Sequence, residues 1–133
     1  MTCITVERMN AHMTKLHLGD GRVVHRFSAA DGPDADWHDH PWSFSSRIIE
    51  GGYVEQVLDL ANPGQPIEIE RRPGDEFRNE AGTVHRIVRL LAPECWTVIT
   101  PGSHERTPGF YRVEGGQVLH RLWHDLDFQP LEG

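Results

Sequence analysis

The chain reads as an all-β protein, a single antiparallel β-barrel or double-sheet jelly roll, and three features of its sequence say so. Short runs rich in β-branched and aromatic residues recur along its 133 residues, and clusters of Gly, Pro, Asp and Asn separate them. No stretch carries a sustained helical apolar period with a cap at both ends. With this many strands and no room for crossover helices, an antiparallel sheet folded or closed on itself is the arrangement that hides its strand edges.

In order, strands are predicted at residues 4–8 and 22–28. The loop 30–36 (ADGPDAD) ends the second and precedes a strand at 44–49. Gly51-Gly52 turns into 53–60, Asn62-Pro63-Gly64 into 67–71, and Pro73-Gly74 into 76–78. Strands at 83–91 and 95–100 follow, the latter stopped by Pro101-Gly102. The last two, 109–113 and 117–123, flank Gly115-Gly116. Each break supplies the fixed φ of Pro or the positive φ of Gly that a tight reversal needs.

Length and 38% hydrophobic content suit one domain over residues 1–133. The net charge of −7, from 20 acidic against 13 basic side chains, argues against a nucleic-acid or anionic-membrane partner. Apolar runs such as 88–92 fall far short of the ~20 residues that span a bilayer. The opening MTCITVERMNAH lacks the pattern of a secretory signal, so a cytoplasmic location is expected. Cys3 and Cys95 form no Cys-x-x-Cys pair and are read as free thiols.

Chemistry is signalled by His38-Asp39-His40. Alternate side chains of a strand share a face, so two imidazoles in this spacing reach one metal ion. Alone, the pair reads more readily as solvated surface histidines than as metal ligands.

The wider context carries a resemblance. Residues 38–51 (HDHPWSFSSRIIEG) resemble the first motif of the cupin family, and residues 74–85 (GDEFRNEAGTVH) resemble its second, with Gly74, Gly82 and His85 at the family spacings. The whole chain also resembles small bacterial and phage cupins that share His-Asp-His-Pro-Trp and a following Gly-Gly-Tyr. The resemblance implies that His38, His40 and His85 hold one divalent metal. Departures matter too. Phe44 or Ser45 stands where the family places a glutamate ligand, Glu80 stands for the second motif's Pro, and Arg89 for its terminal Asn. The expected ligand set is therefore three neutral histidines, with Glu50 or Glu55 as an optional fourth. Such a set resembles that of thiol dioxygenases, in which three histidines hold Fe(II). Histidine ligands suit Zn, Ni and Mn as well.

Strand alternation nominates companions. If His85 faces inward, so do Ile87 and Arg89, which makes Arg89 a candidate anchor for a substrate carboxylate or phosphate, the alternative being an arginine at the barrel mouth or paired with Glu94. The same rule places Ser46 and Ile48 inside and Arg47 outside, unless a bulge intervenes. Tyr53 is a candidate acid or hydrogen-bond donor, and His25 a core histidine or a support for the site. Trp37, Trp42 and Trp96 belong to the core or the pocket wall, Asp31, Asp34 and Asp36 border the entrance, and His12, His17, His104, His120 and His124 are structural or on the surface.

Three functions follow. The first is an Fe(II)-dependent dioxygenase of a small anionic substrate. The second is a metal-dependent isomerase, epimerase or lyase of a keto acid or sugar, needing a base such as Glu55. The third is a non-catalytic binding module. Three ligands leave the site open, which disfavours a purely structural ion, and the missing glutamate ligand is the feature that distinguishes the oxygenase, which ranks first. Resemblance further implies a homodimer.

Overall fold

The computed structural model describes residues 4–131, and among them thirteen strands run without a helix. In chain order these are β1 (Thr5–Asn10), β2 (Met13–His17), β3 (Val23–Phe27), β4 (Trp37–His38), β5 (Phe44–Glu50), β6 (Tyr53–Val57) and β7 (Ile67–Arg71). They continue with β8 (Glu76–Asn79), β9 (His85–Leu90), β10 (Cys95–Pro101), β11 (Gly109–Glu114), β12 (Gln117–Leu122) and β13 (Gln129–Pro130). Hydrogen bonding sorts them into a first sheet, β1-β2-β3-β10-β5-β8, and a second, β13-β12-β11-β4-β9-β6-β7, with every pairing antiparallel. Of the two predicted architectures the double-sheet jelly roll describes the chain. No ladder among the described residues closes the sheets into a barrel.

The ten predicted strands are present with ends shifted by a few residues, and three were not predicted: β2, β4 and β13. β2 joins β1 through Ala11-His12, a turn with neither Gly nor Pro, so the usual punctuation is absent. β4 is two residues long, too short for any periodic signal.

Alternation on β5 (FSSRIIE) buries Phe44, Ser46 and Ile48 and exposes Ser45 and Arg47, as expected. Ile48 is wholly buried and packs with Tyr53, Ile87 and Cys95, with Phe27, Phe77 and Leu90 against them. Burying one such side chain stabilises by about 1.5–3 kcal/mol. A second cluster gathers Trp37, Leu58, Val84, Tyr111 and Val118. Trp37 and Val84 of this cluster directly precede His38 and His85, so both histidines leave packed backbone. Cys95 is a buried free thiol; Cys3 lies outside the described residues.

One irregularity corrects an expectation. β9 pairs Ile87 with Glu55 but Arg89 with Val54, leaving Val88 as an extra residue in the ladder. The bulge reverses alternation: His85 and Ile87 are buried, Arg89 is exposed, and Leu90 turns toward the core in its place. Arg89 therefore does not face the interior as strict alternation predicted. Its suggested partner Glu94 is bound to Arg26 instead.

Candidate metal centre

His38 and His85 lie opposite one another in the β4–β9 ladder, and His40 follows two residues later on the same side, its N–H bonded to Ala81 O at 3.1 Å. Their ring centroids stand 4.8–5.3 Å apart, and one nitrogen of each lies within 4.8 Å of those of the others. Burial, with the nearby His85 adding repulsion, lowers His38 to about 4 and His40 to about 2. Both imidazoles are neutral at pH 7, with lone pairs free to ligate. His40 Nδ1 and His85 Nε2 are buried without a hydrogen-bond partner. Orphaned ring nitrogens converging in this way fit a divalent ion of the kind imidazole favours.

His85 is oriented from behind. Its Nδ1 lies 3.3 Å from Glu55 Oε2, and Arg71 Nη2 donates to Glu55 Oε1 at 3.0 Å, while the guanidinium lies 3.6 Å over the Phe77 ring. Burial raises the Glu55 carboxyl, but its hydrogen bond with His85 and the Arg71 guanidinium outweigh it and hold Glu55 below its ordinary value. A carboxylate there accepts a hydrogen bond from Nδ1–H, which leaves the Nε2 lone pair for a metal ion. Glu55 is thus not grouped with the histidines as a fourth ligand but supports one of them. Glu50 is exposed at the end of β5 and is likewise outside the cluster.

Asp39, between the two ligand candidates, turns the other way. Its Oδ1 accepts from Gly109 N at 2.7 Å, and its Oδ2 accepts from the Tyr111 hydroxyl at 2.8 Å with Arg106 Nη2 3.1 Å away. These bonds fix the strand that carries Phe110, which pairs with His38. Ser43 adds a second anchor, its hydroxyl 2.8 Å from Glu105 Oε2, while Pro41 O accepts from Glu105 N at 2.7 Å.

The cluster opens on a cavity of about 470 Å³, within the range of small-ligand sites. Tyr53, Trp42, Phe44, Ile87 and Phe110 line it beside the histidines, and the first sheet contributes Met13, Lys15, His25, Phe27, Thr97 and Ile99. Trp42 stacks on His40 at 5.9 Å. Of the entrance loop, Asp31 borders this cavity, and its Oδ2 accepts from Ile87 N at 2.9 Å; Asp34 and Asp36 border a separate groove with Trp37 and Arg86. Trp96 lies outside, under Arg26. Sequence reasoning named the histidines and Tyr53 but missed Lys15, whose strand gives no turn signal, and Thr97, which alternation from the buried Cys95 would have placed inside.

No protein-family model matches the chain, and no curated protein sequence matches it. Solved structures do. Hydroxypropylphosphonic acid epoxidase from S. wedmorenis shares 12% identity at a TM-score of 0.57 over 74% of this chain and 55% of that one. The Drosophila melanogaster CENP-C cupin domain shares 10% at 0.59, covering 74% and 75%. Lactobacillus farciminis oxalate decarboxylase shares 18% at 0.58, covering 77% and 31%. The chain spans about half the length of the epoxidase it matches. Two antiparallel sheets whose outline is shared with these structures give the chain the cupin fold, and the three-histidine cluster lies within it.

Proposed function

We propose that the protein is an Fe(II)-dependent dioxygenase acting on a small anionic substrate. The observation that carries the reading is the ligand set: three histidines, with the nearby buried carboxylates engaged elsewhere, Glu55 by Arg71 and His85 and Asp39 by Gly109, Tyr111 and Arg106. With neutral ligands the ion keeps its full charge, and when bound it supplies a Lewis-acidic centre with positions open to substrate and O₂. An HppE structure of similar fold holds Fe(II), which supports iron among the metals that imidazole suits.

The chain's own residues do the rest. Trp42, Phe44, Ile87 and Phe110 keep water from the reacting atoms. Tyr53 lines the same cavity; burial, with the Glu55 charge adding to it, raises its hydroxyl above the ordinary phenol value, so it stays protonated as a donor available to a bound substrate. Glu55 holds the His85 tautomer. The isomerase or lyase reading needs a free base inside the cavity, and Glu55 is engaged elsewhere, which favours the oxygenase.

The test is metal analysis of untagged protein beside a His38→Ala, His85→Ala variant, followed by O₂ uptake with Fe(II) and a panel of small thiols and keto acids. Iron lost in the variant with substrate-dependent O₂ uptake is the expected result. Zinc or nickel without O₂ chemistry would transfer the assignment to an isomerase or lyase. A cytoplasmic homodimer completes the proposal. The outer face of the first sheet, where Val6 is 64% and Ile49 50% exposed, supports the pairing, which sedimentation equilibrium tests.

A further inference from the structure

Strand register sets three polar side chains in a row on the inner face of the first sheet. Lys15 pairs with His25 across β2 and β3, and His25 pairs with Thr97 across β3 and β10. All three line the cavity that also holds His38, His40 and His85, contributed by the second sheet and the segment after β4. Thr97 is 1% exposed, and its Oγ1 has no hydrogen-bond partner. Buried hydroxyls in folded proteins are nearly always satisfied, so one left open on a cavity wall marks a place where a ligand or water completes it.

Lys15 is in a similar position. Its cross-strand neighbour is Glu7, but that carboxylate is taken by His17 Nε2 at 2.7 Å. The Lys15 side chain forms no ion pair among the described residues, and it is the one Lys or Arg on this cavity wall. Asp31, the one carboxylate on the wall, is exposed at the rim and already accepts from Ile87 N. Burial keeps His25 neutral by lowering it to about 3, so it offers a ring N–H without adding charge.

We propose that Lys15, His25 and Thr97 form an oxyanion subsite facing the three-histidine cluster, so that the substrate is a short two-ended molecule: one end a donor to the metal, the other a carboxylate held by the Lys15 ammonium and the Thr97 hydroxyl. The inference rests on the metal reading above and gives the substrate a shape. A single cation with neutral companions suits a monoanion better than a phosphate dianion. Facing sheets lie about 10 Å apart with side chains filling much of the gap, which limits the link between the two ends to on the order of three carbons.

The test uses Co(II) as the metal and follows its visible absorption during titration with glutarate, butyrate or acetohydroxamate. Glutarate is expected to bind about tenfold tighter than butyrate to the wild type. Lys15→Met should abolish that gap, Lys15→Arg should keep most of it, and Thr97→Val should narrow it. Acetohydroxamate, which has no second end, should bind all four proteins alike. Equal affinity for glutarate and butyrate in the wild type, or a gap that survives Lys15→Met, overturns the subsite.

Thermal melts of the metal-free protein separate this inference from the metal reading. If Co(II) gives no bound spectrum while glutarate raises the wild-type Tm but not that of Lys15→Met, the metal site fails and the subsite stands. If Co(II) binds and glutarate acts independently of Lys15, the reverse holds.

Discussion

His25, His38 and His40 are imidazoles that the fold keeps from protonating: burial lowers them to about 3, 4 and 2. In the unfolded chain each returns to about 6.5. Above that pH neither state binds the protons and stability is complete; as pH falls the unfolded chain takes them up first, so stability declines from about 6.5 down toward the folded values. Thermal melts of chelator-treated protein should show Tm falling between about pH 6.5 and 4, before most carboxylates titrate. His25→Phe should make that decline shallower. Glu55→Gln removes the carboxylate that orients His85 and is expected to weaken metal binding by about 10–100-fold in a competition assay against a chromophoric chelator. Arg89→Ala, altering an exposed side chain beyond the bulge, should leave metal affinity unchanged. The contrast tracks what the sequence could reveal. The His-x-His spacing is local and survives into the structure, whereas the inward placement of Arg89 depended on unbroken alternation over four residues.

At the scale of elements, the extra Val88 on β9 and the hairpin of β1 and β2 mark where sequence reading ended. A bulge costs one residue of register and leaves no compositional trace, and a hairpin turning through Ala11-His12 has no Gly or Pro to announce it. The strands between Gly and Pro breaks were legible because those breaks are geometric necessities. Gly51 shows how strict one of them is. Its φ is +85°, and a Cβ there would sit 2.0 Å from the carbonyl oxygen of Glu94, a backbone atom that cannot swing aside. Gly74 has a similar φ of +94° but open space around it. Gly74→Ala should therefore cost only the backbone strain, about 1–2 kcal/mol. Gly51→Ala adds the clash and should exceed about 3 kcal/mol or abolish folding. Urea unfolding of the two variants side by side checks this; equal losses would mean that the β5–β6 turn relaxes around the new methyl.

Across the whole molecule, the site is a product of two sheets meeting. His38 and His85 come from the second, His40 from the segment leaving it, and the facing wall of Lys15, His25, Thr97 and Ile99 from the first. The sequence motifs located the three histidines that the fold brings together, but the opposite wall becomes visible only when distant strands are brought into register. A ligand set assembled by the fold also makes metal binding a measure of folding. The unfolded chain retains only the local His38-x-His40 pair, so an ion held by all three histidines would bind the folded state far better and stabilise it by mass action. At a free metal concentration of about 100 times Kd the gain is about 2.7 kcal/mol, which for a chain of this size raises Tm by roughly 10 °C. Scanning calorimetry with and without Fe(II) under anaerobic conditions, or with Zn(II) in air, should show that rise, and excess chelator should remove it. His85→Ala should lose it, because two local histidines hold metal in folded and unfolded chains alike. His124→Ala, on the exposed segment after β12, should keep it. A rise that persists in His85→Ala would place the stabilising ion away from this cluster and remove the basis for assigning the cavity its chemistry.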